Sequence, residues 1–196
     1  MRWQRFFEDL EHQLDSEWEA ERAALQTESE RLRLSRLDLR ERLGALADDG
    51  AALTVEFSGA RMLRGRATGA GVDWLTLDLD VGLRGSAAVV PSAAIEAVVA
   101  AEPDLLRSAR PRVPRPPSSE RMTFGFVLRD LVRRRTAVQV HTEGGREWAG
   151  TIDRAGADHL DLALHDPGAA RRAEAIVGHR LIALRAVSWV QLGVAG

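Results

Sequence analysis

The chain has 196 residues, which suffices for one ordinary domain or two small ones. Its 27 basic and 29 acidic residues leave a formal net charge of −2, and 45% of the residues are hydrophobic, so the composition excludes a chain that is disordered throughout. All 27 basic residues are Arg, and Lys, Asn, Tyr and Cys are absent, which excludes disulfides, zinc–thiolate clusters, thiol nucleophiles and N-glycosylation.

The hydropathy pattern predicts a cytoplasmic protein. The longest apolar stretch, residues 87–101, is shorter than the roughly 18 residues of a membrane span and is interrupted by Pro91 and Glu96. The first residues do not resemble a signal peptide, because Glu8 and Glu11 interrupt the apolar run and no small-residue cleavage site follows.

Residues 1–50 are predicted to form a long amphipathic helix. Apolar side chains recur there at steps of three, four and seven, which places them on one helical face. The face contains Trp3, Phe7, Leu10 and Leu14, followed by the seven-residue series Trp18, Leu25, Leu32 and Leu39. We predict that the seven-residue series mediates self-association as a weak coiled coil, because polar residues occupy the companion positions of the seam. Alternatively the helix packs on its own chain; a membrane-surface role is disfavoured by Glu8 and Glu11.

An internal repeat organises the rest of the chain. At an offset of 85 residues the matched pairs are Val55/Val140, Gly59/Gly144, Gly65/Gly150, Gly71/Gly156, Asp73/Asp158, Leu75/Leu160, Leu77/Leu162 and Leu79/Leu164. Upstream, Leu39, Leu43 and Leu46 match Phe124, Leu128 and Leu131 at helical spacing. Downstream the offset becomes 92 and matches Val90, Ala94, Ile95 and Val98 with Ile182, Ala186, Val187 and Val190. The difference predicts a loop insertion within His165 to His179.

Each copy of the repeat is predicted to form a helix followed by five short strands. Leu53, Val55 and Phe57 alternate with other residues, the pattern of half-buried antiparallel strands. Gly65 and Gly150 fall inside strands, where a glycine is typical of a bend or of a close backbone approach.

This order of elements resembles the Sm-like barrel of the LSm and Hfq proteins. In the second copy, Gly145-Arg146-Glu147-Trp148-Ala149-Gly150 is similar to the first half of the Sm motif. The resemblance implies an α+β, mostly β fold: a long N-terminal helix and two tandem five-stranded Sm-like barrels, each preceded by a helix. The predicted domains are the helix at 1–50, barrel 1 at 51–101, a Pro/Arg-rich linker at 102–121, and a helix plus barrel 2 at 122–196. The whole chain also resembles a family of actinobacterial proteins.

The two copies depart from the RNA-binding members of the Sm-like family at several positions. Thr76 and Asp161 stand near the positions where those proteins carry a base-contacting residue, and Val90-Pro91-Ser92 stands where Hfq-like chains have Tyr-Lys-His. An acidic Asp161 would repel a phosphate backbone. The sequence therefore does not support reading of specific bases.

The positive charge is concentrated between the two copies, where residues 101–135 hold nine Arg against four acidic residues. The candidate nucleic-acid contacts are Arg107, Arg110, Arg112, Arg115, Arg129, Arg133, Arg134 and Arg135. Two functions remain open. One is a nucleic-acid-associated regulator that contacts single-stranded RNA or DNA. The other is a scaffold protein whose helix and edge strands drive assembly of itself into a dimer or higher oligomer.

The sequence predicts no enzyme, no cofactor and no metal. Four His residues lie in the second copy, at 141, 159, 165 and 179, but the positions that align with them in the first copy are not His, so they are interpreted as surface or loop residues. The sequence shows no set of nucleophile, base and orienting residue that is typical of catalysis. It also gives no indication of a small-molecule substrate.

Overall fold

The computed structural model describes residues 2–80, 86–112, 121–166 and 172–193, with side chains from Trp18 onward except Ala20. The helices are α1 (Arg2–Arg36), α2 (Leu39–Asp48), α3 (Glu102–Ser108) and α4 (Phe124–Arg134). The strands are β1 (Ala52–Phe57), β2 (Arg61–Ala70), β3 (Trp74–Leu79), β4 (Ala87–Pro91), β5 (Ala97–Ala100), β6 (Ala137–Thr142), β7 (Glu147–Ala155), β8 (His159–Leu164), β9 (Gly178–Ala183) and β10 (Val187–Leu192).

The chain divides into two units, Met1–Asp38 and Leu39–Gly196. The first unit consists of α1, a helix of 35 residues whose exposed surface carries ion pairs such as Arg33 with Glu30 at 2.7 Å. Helix α2 begins three residues after α1 ends. Asp38 stands directly before α2, a position at which Asp is a favoured N-cap residue.

The second unit is built on one ten-stranded sheet in the order β5-β1-β2-β3-β4-β10-β6-β7-β8-β9. All neighbouring strands are antiparallel, from β1 with β5 and β2 to β8 with β9. The predicted fold class is therefore wrong: the molecule does not consist of one long N-terminal helix and two small five-stranded barrels. The physical reason is that β4 pairs with β10 of the other repeat. This pairing satisfies backbone groups that would otherwise lie at an open edge.

The repeat itself is visible in the sheet. The first repeat contributes β5-β1-β2-β3-β4 and the second contributes β10-β6-β7-β8-β9, so equivalent strands follow each other in the same spatial order. The bulge of β2 lies between Ala67 and Gly69, and that of β7 lies between Ile152 and Arg154, at the same offset of 85 residues.

Gly65 and Gly150 allow close contact between neighbouring strands, as the sequence predicted. A Cβ atom on Gly65 would lie 2.3 Å from the Asp78 carbonyl oxygen, and one on Gly150 would lie 2.0 Å from the Ala163 carbonyl oxygen. Both distances are far below van der Waals contact. A side chain at either position would therefore force two backbones apart.

Each repeat has its own hydrophobic core beneath one helix. Helix α2 packs on β2 and contributes Leu43 and Leu46 to the first core, and α4 packs on β7 and contributes Leu128 and Leu131 to the second. The segment 102–121, predicted as a linker, begins with α3, which is held to α2 by the Arg42 guanidinium. That group donates to the Leu105 carbonyl oxygen at 2.8 Å and to the Ser108 hydroxyl at 3.0 Å.

Candidate functional site

Two arginines of the basic segment, Arg107 and Arg112, are paired with acidic side chains of their own chain. Arg112 donates to both carboxylate oxygens of Asp49 at 2.5 Å, and Arg107 forms ion pairs with Asp104 and Asp49. The Arg112 hydrogen bond lowers the pKa of Asp49, while Asp49 raises the pKa of Arg112. Arg110 is exposed, and Arg115 lies outside the described residues.

In helix α4, two arginines share a single carboxylate. Arg134 and Arg133 both donate to the Asp130 carboxylate. These hydrogen bonds lower the pKa of Asp130, and the bond from Arg134 has the larger effect. Arg135 adopts the left-handed conformation with φ 53° and ends the helix, and Arg129 is exposed. The sequence predicted a cluster of arginines, but several of them form ion pairs with carboxylates, either across the fold or within the same helix. This lowers the positive charge that a phosphate backbone would meet.

The predicted apolar series of the N-terminal helix is exposed. Trp18 is 69% exposed and Leu25 is 66% exposed, and Leu32 and Leu39 are exposed by about half. Trp18, Leu25 and Leu32 belong to α1, whereas Leu39 is the first residue of α2. An apolar row of this kind on a helix is typical of a surface that packs against a partner.

The contact between the two repeats, which we call the internal junction, combines strand pairing with an exchange of core side chains. Strand β4 pairs with β10, with Val89 opposite Val190. Each core also receives side chains from the other repeat. Trp189 of β10 packs into the first core, and Trp74 and Val89 of the first repeat pack into the second.

Polar and aromatic contacts close the internal junction around Trp189. Its ring stacks on His141 at a centroid distance of 4.2 Å and contacts Phe57 at 4.9 Å. The guanidinium of Arg61, from the first repeat, lies 4.4 Å above the Trp189 ring and donates to the Thr142 carbonyl oxygen. Sequence reasoning did not single out Arg61 or Trp189, because the two residues are 128 positions apart and no local pattern connects them.

The two outer edges of the sheet, β9 and β5, carry the equivalents of the strands that meet at the internal junction. The 92-residue offset matches β4 with β9 and β5 with β10. Val89 is 1% exposed at the junction, whereas its equivalent Leu181 on β9 is 73% exposed. Val190 is fully buried, whereas its equivalent Val98 on β5 is only partly buried. The outer edges thus carry apolar residues at the positions that are buried in the internal junction, but these residues are exposed or only partly buried.

The interpretation of the four His residues of the second repeat as surface or loop residues is wrong for two of them, because His141 and His165 are buried. His165 is buried and bonds the Thr151 hydroxyl at 2.8 Å, His159 bonds the Asp158 carboxylate at 2.8 Å, and His179 is exposed on β9. In the described part of the chain, no three His, Asp or Glu side chains form a group that could hold a metal ion. No described helix is long and apolar enough to cross a membrane.

His141 is a buried titratable group of the internal junction. Burial lowers the pKa of His141 below its usual 6.5, the Glu147 carboxylate 3.2 Å away opposes this effect, and Arg61 lowers the pKa further. The folded protein therefore binds a proton at His141 less readily than the unfolded chain. The resulting stability is present above about pH 6.5 and is lost as the pH falls below that value.

We expect the midpoint of thermal unfolding to fall more steeply between about pH 7.5 and pH 5.5 in the wild type than in His141→Gln, which has no proton to bind at this position. Circular dichroism melts of both proteins in the same buffers measure the difference. Identical pH profiles would contradict the assignment of this titration to His141.

A comparison of the chain with protein-family models, with curated proteins and with solved structures finds no match. The function is therefore inferred from the contacts described above.

Proposed function

We propose that the protein is a non-enzymatic structural protein that assembles head to tail with further copies of itself, β9 of one copy pairing with β5 of the next. The observation that supports this function is the equivalence between the outer edges and the internal junction. Leu181 is exposed at a position whose counterpart, Val89, is buried by β10. The resemblance to Sm-like and actinobacterial proteins stays a prediction.

The internal junction gives the register of the proposed pairing. Val89 lies opposite Val190, Ala88 opposite Gln191 and Ala87 opposite Leu192. The 92-residue offset converts these pairs to Leu181 opposite Val98, Arg180 opposite Val99 and His179 opposite Ala100. Pairing in this register covers Leu181 and Val99, which are 73% and 51% exposed in the single chain. It also removes two open strand edges.

The two sides of this contact are different surfaces, so the contact is heterologous. Such contacts produce a closed ring when the rotation between copies closes, and a filament when it does not. The exposed series Trp18, Leu25 and Leu32 on α1 supplies a second apolar surface for contacts between copies. A protein that uses both surfaces would be a scaffold.

The nucleic-acid function is the alternative. The excess of arginine in residues 101–135 favours it, but the ion pairs of Arg107, Arg112, Arg133 and Arg134 with carboxylates weigh against it. A protein of this second kind would bind single-stranded RNA with an affinity that falls steeply with salt, and replacement of Arg133, Arg134 and Arg135 would flatten that dependence.

Light scattering on the full chain tests the scaffold function. We expect the wild type to have a mass several times 21.5 kDa and Leu181→Arg to have a lower mass, because pairing with β5 would remove water from the charged side chain against the apolar Val98 and Val99. Leu106→Arg on α3, where Leu106 is also exposed at 61%, is the matched control and should leave the mass unchanged.

Two results would contradict the scaffold function. One is a wild-type protein with the mass of a single chain. The other is equal mass in the wild type and in Leu181→Arg. An absorbance ratio showing bound nucleic acid in the purified wild type, together with salt-sensitive binding of single-stranded RNA, would favour the alternative instead.

A further inference from the structure

The beginning of α4 is held by the first repeat at the internal junction. The backbone N–H of Phe124 donates to the Asp73 carboxylate at 2.6 Å. One residue further along the first repeat, the indole N–H of Trp74 donates to the Met122 carbonyl oxygen at 2.9 Å. Phe124 itself is 4% exposed and packs in the same cluster as Trp74 and Val89. The first repeat therefore recognises the first turn of a helix together with its leading apolar side chain.

The second repeat carries the equivalent positions, and their side chains are exposed in the part of the chain that the structure describes. The 85-residue offset matches Asp73 with Asp158 and Trp74 with His159. Trp74 is 8% exposed, but the side chains of His159 and Asp158 are 45% and 90% exposed, and they bond each other. On the neighbouring strand β9, Leu181, the exposed equivalent of Val89, lies opposite Asp161, two residues beyond His159.

The chain also carries the helix that would fit this surface. Helix α2 is the equivalent of α4, and its first residue, Leu39, matches Phe124. Phe124 is 4% exposed, whereas Leu39 is 49% exposed. The first N–H groups of a helix have no acceptor within the helix, and the positive end of the helix dipole favours a carboxylate there. Asp158 is such a carboxylate.

We propose that the first turn of α2 in one copy docks on Asp158 and His159 of a second copy, the Leu39 N–H donating to the Asp158 carboxylate. The Leu39 side chain then packs against His159 and Leu181. This inference rests on the proposed function, because β9 and β5 must pair as β4 and β10 do for the helix to reach the surface. The occupant is a second copy of this chain, because the internal junction joins the equivalent residues in one molecule.

This docking specifies which copies associate and in which direction. Strand pairing alone uses backbone groups that any open edge offers. The carboxylate of Asp158 adds a charge-assisted hydrogen bond to a helix N-terminus, which depends on the position of one helix relative to one edge. A copy placed in the wrong register would leave Asp158 without its helix.

The test uses the full chain and the dissociation constant of self-association, measured by sedimentation velocity. We expect Asp158→Ala to weaken association about tenfold or more, because a hydrogen bond to a charged group is lost. Asp166→Ala, which removes another exposed carboxylate of the second repeat, is the matched control and should have no effect.

A second variant removes the other side of the same bond. Leu39→Pro deletes the donating N–H, and proline is tolerated at the first position of a helix. Leu39→Ala reports the contribution of the side chain alone. We expect the double variant Asp158→Ala with Leu39→Pro to associate no more weakly than Leu39→Pro alone, because both changes remove one bond.

The outcomes separate this docking from the proposed function. Unchanged association in Asp158→Ala, with a loss in Leu181→Arg, would overturn the docking and leave the edge pairing in place. Unchanged association in both variants, or a wild type that stays a single chain, would overturn both. If Leu39→Pro does not fold, judged by circular dichroism, the comparison of Asp158→Ala with Asp166→Ala still decides the matter.

Discussion

Trp189→Ala is expected to lower the free energy of unfolding by about 3–5 kcal/mol, the usual range for removing a buried large aromatic side chain. Trp189 is 6% exposed and fills the first core from a strand of the second repeat. The substitution leaves a cavity between the repeats, ends the stack on His141 and leaves the Arg61 guanidinium without its aromatic face. Because a domain is stable by only about 5–15 kcal/mol, this is a large part of the total.

Urea unfolding followed by circular dichroism measures this effect. Trp189→Phe is the control, because a phenyl ring keeps an aromatic face for Arg61 and His141 and leaves a smaller cavity. We expect it to lose about half as much stability or less. A loss below about 1 kcal/mol in Trp189→Ala would mean that the two repeats do not share this ring.

Gly150→Ala is expected to destabilise the fold by about 3 kcal/mol or more, at the upper end of the range for overpacking. The new Cβ would lie 2.0 Å from the carbonyl oxygen of Ala163 and 2.9 Å from its carbonyl carbon. Both neighbours are backbone atoms of β8, so no side chain can rotate away. Strands β7 and β8 would have to separate and lose hydrogen bonds.

Two further glycines provide the comparison for Gly150→Ala. Gly65→Ala, at the equivalent position in β2, should destabilise by a similar amount, because its Cβ would lie 2.3 Å from the Asp78 carbonyl oxygen. Gly144→Ala has no heavy atom within 4 Å of the new Cβ and should change stability by less than about 0.5 kcal/mol. Equal effects at Gly150 and Gly144 in urea unfolding would contradict the close approach.

The strands and the repeat could be predicted because the information for them is local. Alternation of apolar residues such as Leu53, Val55 and Phe57 marks a strand with one buried face, and the structure buries all three. The glycines at 65 and 150 could also be identified from the sequence, because they match each other in the repeat and fall inside predicted strands. Their position inside strands favours a close approach, and the neighbouring carbonyl oxygens confirm it.

The candidate sites could be predicted only in part. The exposed series from Trp18 to Leu32 followed from spacing alone, because a helix places every seventh residue on nearly the same face. The role of the arginines did not follow from spacing, because Arg112 meets an Asp49 that lies 63 positions earlier in the chain. The repeat matches Asp73 with Asp158, but no role for either residue followed from the sequence. The structure shows that Asp73 accepts a hydrogen bond from the first backbone N–H of α4.

The sequence by itself determined the composition of each repeat: one helix, five strands, a matched glycine inside the second strand and a matched acidic residue after that strand. Only the tertiary structure decided that the two repeats share one sheet and exchange Trp74, Val89 and Trp189 between their cores. The physical reason is that periodicity reports which face of an element is buried. It does not report which distant strand supplies the hydrogen-bonding partner, and β4 and β10 are separated by about half of the chain.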